Sequence, residues 1–146
     1  QAELIKKLIT KGLDVHSHPD RHPPPIKFAV EFENEEIVQI LLVKGVKEED
    51  SECVYTAVNL KNYKILDLLL QHGANINGNI LTPLACAVTA GDLKMVDYLI
   101  KKGANPNKEL GFFEELDGDT SILGLAIKAN HTEIIEMLLR NDAKLR

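Results

Sequence analysis

Residues 82–107 read TPLACAVTAGDLKMVDYLIKKGANPN, and fragments of that stretch recur along the chain in the same order. Within it Leu93, Val96, Leu99 and Ile100 fall at helical spacing, and Gly103 follows where a helix C-terminus needs a residue tolerant of positive φ. Upstream, Thr82 offers a side-chain oxygen to a helix start, and Pro83 suits a first turn that requires no donor. The stretch therefore predicts two short helices with a turn at Gly91 between them.

The second helix of this unit has echoes. Ile65, Leu66, Leu69, Leu70 and Gly73 repeat its pattern, as do Ile37, Val38, Leu41, Leu42 and Gly45, and Leu4, Ile5, Leu8, Ile9 and Gly12. A last copy, Ile134, Ile135, Leu138 and Leu139, ends in Asp142 where the glycine would stand. A shorter apolar segment around an alanine precedes the full copies: IKFAV at 26–30, VYTAV at 54–58, LACAV at 84–88 and LGLAI at 123–127. The small residue lets two helices approach closely. Because each unit is too small to bury its own apolar face, neighbours must stack into a continuous core. The expected fold is an all-α solenoid of stacked helix-turn-helix units.

On these residues the chain resembles the ankyrin repeat, whose pattern runs TPLHxAAxxGHxEIVxxLLxxGAdpN. The resemblance covers nearly the whole chain. It is closest in the fourth unit, recognisable in LLLQHGANIN at 68–77 and in LAIKANHTEIIEMLLRNDA at 125–143, and weaker in the second, where Glu33 replaces the inter-helix glycine. It implies a single ankyrin-repeat domain over 1–146 with projecting hairpin fingers, divided as a partial repeat at 1–16 and repeats at 17–48, 49–77, 78–107 and 108–146. The first unit holds only a second helix and its turn, so we expect the chain to be an excerpt of a longer protein.

Composition narrows the function. Of 146 residues 45% are hydrophobic, enough for a core, and no run of ~18 apolar residues that could cross a bilayer occurs. The 22 acidic residues outnumber the 17 basic ones, giving a net charge of -5, which argues against nucleic acid as partner. Cys53 and Cys86 form no CxxC pair, so a reducing, cytoplasmic setting is expected. Gly-rich phosphate loops, HExxH and GxSxG are absent, so no enzyme, catalytic residue or cofactor is expected. A competing reading is a metal site at HSHPDRHPPP, residues 16–25, where His16, His18, Asp20 and His22 are potential ligands. That stretch falls on a finger, and its three prolines already account for a stiff exposed connection, so no metal is expected either.

What remains is binding of another protein or peptide. The resemblance implies that partners meet the finger tips and the concave face, including the two residues before each inter-helix glycine position. Those are Glu31 and Phe32, Asn59 and Leu60, Thr89 and Ala90, and Lys128 and Ala129. Phe32 and Leu60 are large and apolar at equivalent places, roughly 10 Å apart if the repeats stack. The fingers vary in length: 33 residues separate Gly12 from Gly45, but only 28 separate Gly45 from Gly73 and 30 separate Gly73 from Gly103. The 39 residues from Gly103 to Asp142 include KELGFFEELDGDT at 108–120, where Phe112 and Phe113 stand among acids as a candidate anchor. Glu48 and Glu49 on one finger, and Asn79 and Leu81 on the next, complete the candidate contacts, and the acidic tips favour a partner of basic character.

Overall fold

A computed structural model describes residues 3, 7, 24–46, 52–78, 82–110 and 121–145. Among them are eight α-helices and no strand: α1 (Pro25–Glu31), α2 (Glu35–Val43), α3 (Glu52–Asn59), α4 (Tyr63–Gln71), α5 (Pro83–Thr89), α6 (Leu93–Lys101), α7 (Ile122–Lys128) and α8 (Thr132–Arg140). These are the all-α helix pairs that the repeats predict. Glu3 and Lys7 are also helical, while Leu4, Ile5, Leu8 and Ile9 of the expected first unit lie outside the described residues.

The chain divides into two compact units, Gln1–Ala74 and Asn75–Arg146. In the first, α1 packs on α2 and α3 on α4, and the pairs stack first helix on first helix (α1 on α3) and second on second (α2 on α4). The second unit repeats this with α5, α6, α7 and α8. Helices of seven to nine residues are too short to persist alone, so their stability is tertiary.

Each hairpin is set by its caps. Asn34, Asn62 and Asp92 accept hydrogen bonds from the backbone N–H groups of Ile37, Ile65 and Met95 at the start of a second helix, and Thr82 and Ser121 do the same for Ala85 and Gly124 at the start of a first. At the end of each first helix the chain turns through a left-handed residue: Glu33, Lys61, Gly91 or Asn130. The N–H after it returns to the alanine five residues back, as Asn34 to Ala29 (2.8 Å) and Asn62 to Ala57 (3.0 Å). The left-handed residue itself donates to a carbonyl three residues back, Glu33 to Val30 and Gly91 to Val88. This is the Schellman motif, and Gly45, Gly73, Gly103 and Asp142 repeat it at the ends of the second helices. Glycine is therefore not required at 33, where the hydrogen bonds hold Glu33 at φ +53°.

The core is apolar and dense. Ile26, Val30, Val38, Leu41, Val54, Ala57, Ile65, Leu66 and Leu69 are buried in the first unit, and Leu84, Ala87, Val88, Met95, Val96, Leu99, Ile122, Ala126 and Leu138 in the second. The four alanines foreseen at the close approach, Ala29, Ala57, Ala87 and Ala126, are all buried. In the second unit asparagines also tie turn to turn. Asn77 Oδ1 accepts from Asn105 N (2.7 Å); Asn107 Oδ1 accepts from Lys144 N (2.9 Å), and its Nδ2 donates to Asp142 O (2.8 Å).

Two outcomes follow from this packing. Ala87→Leu overfills the contact between α5 and its neighbours and should cost about 1–3 kcal/mol, read as a lowered midpoint in thermal or urea melts. Asn107→Ala removes two hydrogen bonds between turns and should cost about 1–2 kcal/mol, roughly twice the loss from Asn77→Ala, which removes one such bond.

Candidate functional site

The expected contact residues of the first unit sit at the ends of its first helices. Glu31 closes α1 and Asn59 closes α3; Phe32 and Leu60 are the next residues, each immediately before the left-handed turn. Their N–H groups still bond the helix behind them, Phe32 to Phe28 O and Leu60 to Thr56 O, both at 2.9 Å. Phe32 is 80% exposed and Leu60 38% exposed, so neither belongs to the core.

Phe32 has a companion that the sequence reading passed over. Phe28 lies four residues earlier, one helical turn away on the same face of α1, and is itself 45% exposed. Together with Pro25, Ala29, Asn34, Ile37 and Leu41 the two rings line an open, mainly apolar groove of about 310 Å³ between α1 and α2. Leu60 is not among the lining residues. The i, i+4 spacing of the two phenylalanines was the available signal, but on so short a helix it resembles a core stripe.

The connection from α1 into α2 is acidic. Glu31, Glu33, Glu35 and Glu36 follow one another from the end of α1 into α2. Glu33 accepts from Asn62 Nδ2 (3.0 Å), and Glu35 lies 3.5 Å from Lys64 Nζ. Lys27 donates to Glu52 Oε1 at 2.6 Å. That hydrogen bond first, and the negative charges of Glu52 and Glu31 after it, hold the Lys27 ammonium above its ordinary pKa, so its charge is answered from within the unit. A second, wider groove along α2 and α4 is lined by Glu35, Glu36, Gln39, Lys64, Asp67 and Leu68.

In the second unit the expected contacts are Thr89, Ala90, Lys128 and Ala129, all exposed. Thr89 Oγ1 donates to Ala85 O (2.9 Å), so its hydroxyl proton serves its own helix. The positions matching Phe28 and Phe32 are Cys86 and Ala90 here, and Leu125 and Ala129 in the last pair; no aromatic stands at them. Cys53 is buried and Cys86 half-buried, both as thiols. Glu48, Glu49, Asn79, Leu81, Phe112 and Phe113, and the cluster from His16 to His22, lie outside the described residues. Among the described residues no group of three or more His, Cys, Asp or Glu could hold a metal ion, and no helix is long and apolar enough to cross a membrane.

Comparison with known proteins agrees with this architecture. The family described as Ankyrin repeats (3 copies) matches residues 1–80, 28–110 and 78–146. The chain belongs to the ankyrin repeat family, whose repeats are general protein–protein interaction modules. It is 27% identical over 155 residues to an ankyrin repeat protein of fowlpox virus (strain NVSL), covering 98% of this chain and 45% of that protein. With an ankyrin repeat protein of Rickettsia felis it shares 29% identity over 153 residues, 97% of this chain and 36% of the relative. It is also 25% identical over 160 residues to the human transient receptor potential cation channel subfamily A member 1, covering 99% of this chain and 14% of the channel. The chain thus spans less than half the length of these relatives.

The exposure of the two rings predicts how little they matter to folding. Phe28→Ala together with Phe32→Ala should change stability by less than about 1 kcal/mol, whereas Ile26→Ala, on the buried side of the same helix, should cost about 2–5 kcal/mol. Denaturant melts of the two variants side by side decide it, and equal losses would place the phenylalanines in the core.

Proposed function

We propose that the chain is a non-catalytic binding module that grasps a partner protein or peptide through the first unit, with an apolar partner side chain seated between Phe28 and Phe32. The observation that carries this reading is the pair of exposed rings over an apolar groove. Side chains that add little to the core yet remain large and apolar gain free energy when a partner covers them, at about 25 cal/mol per Å² removed from water. Asn59 and Leu60, on the neighbouring first helix, extend the contact, and Thr89 and Lys128 offer further contacts on the second unit.

The partner has basic character. Glu31, Glu33, Glu35 and Glu36 belong to the hairpin that carries the groove, and in this proposal the finger acids Glu48 and Glu49 add to the same field; Lys27, already bonded to Glu52, opposes it little. The fingers bearing Asn79 and Leu81, and Phe112 and Phe113, are further contact points in this proposal. It assigns no catalytic residue, cofactor, metal, nucleic acid or membrane insertion, and it sets the module in the cytoplasm, where two thiols remain reduced.

Selection from a displayed random-peptide library against the whole chain supplies a partner of known sequence. The expected peptides carry an aliphatic or aromatic anchor flanked by Lys or Arg. Phe28→Ala with Phe32→Ala should weaken their binding by roughly 30-fold or more, about 2 kcal/mol, chiefly through faster dissociation. Glu36→Lys should instead slow association and flatten its dependence on salt. Peptides that bind the double alanine variant as tightly as the parent chain would move the site elsewhere.

A further inference from the structure

Two turns of the second unit are built alike, Asn75-Ile76-Asn77-Gly78 and Asn105-Pro106-Asn107-Lys108. In each, the first asparagine accepts through Oδ1 from the N–H of the third residue, Asn77 at 3.0 Å and Asn107 at 2.9 Å. Its carbonyl accepts from the N–H of the fourth, Gly78 at 3.1 Å and Lys108 at 3.2 Å. The turns differ around their third residue. Asn107 has both amide atoms engaged, Oδ1 by Lys144 N and Nδ2 by Asp142 O, whereas the bond that ties Asn77 to the next turn, from Asn105 N, uses Oδ1. Asn107 is followed by a lysine, and Asn77 is the one asparagine of the chain followed by glycine.

We infer that Asn77 is a site of spontaneous deamidation, attacked by the backbone nitrogen of Gly78 when the turn opens. Hydroxide removes the Gly78 N–H proton, the nitrogen bonds to Cγ of Asn77, and the Cγ–Nδ2 bond breaks. Nδ2 takes a proton from water and leaves as ammonia, and a cyclic imide remains. Water then adds to a ring carbonyl. Breaking the bond from the ring nitrogen to Cγ gives aspartate; breaking the bond from that nitrogen to the backbone carbonyl carbon gives isoaspartate. The balance is water consumed and ammonia released, with no oxidant or cofactor. Gly78 suits the attack because no Cβ crowds its nitrogen, while Lys108 has one and Pro106, after Asn105, has no N–H to lose. The fold restrains the reaction. Gly78 is buried with its N–H on Asn75 O, and that bond must open before the proton can leave. The rate therefore follows the population of the opened turn. The two products differ in consequence. Aspartate keeps a side-chain oxygen for Asn105 N, but isoaspartate routes the main chain through Cβ and Cγ, which lengthens it by a methylene and unties the two turns.

The test incubates the whole chain at mildly alkaline pH, folded and in urea, and follows each asparagine by peptide mass spectrometry, with isoaspartate read by enzymatic methylation. Asn77 should convert first, and roughly tenfold or more slowly in the folded chain than in urea. Asn75→Ala removes the Oδ1 on Asn77 N and the Nδ2 on Gly78 O while leaving the reacting pair intact. It should speed conversion of the folded chain about threefold or more and leave the rate in urea unchanged. Amide exchange at Asn105 should be unchanged in Asn77→Asp and about tenfold faster in chain enriched in isoaspartate. Another asparagine converting first, equal rates folded and in urea, an Asn75→Ala rate equal to the parent's, or full protection of Asn105 in the isoaspartate form overturns the inference.

Discussion

The left-handed turn after each helix is the constraint on which the other features depend. Among the described residues eight helices end in it, and the two backbone hydrogen bonds of the Schellman motif close each turn whether the residue is Gly91 or Glu33. A non-glycine residue held there costs of order 1 kcal/mol in backbone strain, so the motif survives at Glu33, Lys61 and Asn130 because its hydrogen bonds and the packing of the pair offset that cost. The turn also fixes the direction of the residue before it. Phe32 and Leu60 stand immediately before that turn, their N–H groups bonded to Phe28 O and Thr56 O, and both are exposed.

Given such hairpins, stacking selects which side chains go inside. The position occupied by Ala29, Ala57, Ala87 and Ala126 is small in every pair, because two helices meet over it and a larger group has no room. One step further along, Val30, Val58 and Val88 pack, and Ile127 does not. The chemistry of that position is aliphatic throughout while its exposure differs, so comparison among equivalent positions is more informative than hydropathy alone.

The same distinction marks what could be read from the sequence. The helical spacing of Leu93, Val96 and Leu99, the stop at Gly103 and the start at Thr82–Pro83 are local signals, and the helices and the Thr82 cap stand where those signals put them. Glu33 looked like a weakness because a glycine was missing, yet the turn is formed there, since backbone bonds and not the side chain decide it. The groove beside Phe28 was not legible. Nothing in PIKFAVEF separates a ring that packs from one that stays in water, for that depends on the α2 side chains Ile37 and Leu41 opposite it.

The frame and the binding surface are separable, and the helix-to-helix turns show how. At one turn Glu33 bonds Asn62 of the following pair; at the equivalent turn of the second unit the His131 ring lies over Gly91, so close that a Cβ added to the glycine would come within 2.8 Å of it. A hydrogen bond in one place and a ring over a glycine in the other support the same backbone. Position 28 and its matches vary as freely, from Phe28 through Thr56 and Cys86 to Leu125, while the alanine beside each is buried. Side chains at positions the frame does not use can change in size and polarity without moving a helix. The preference for an apolar, basic partner that we propose can therefore reside in Phe28, Phe32 and the glutamates of the same hairpin while the stack contributes only their spacing.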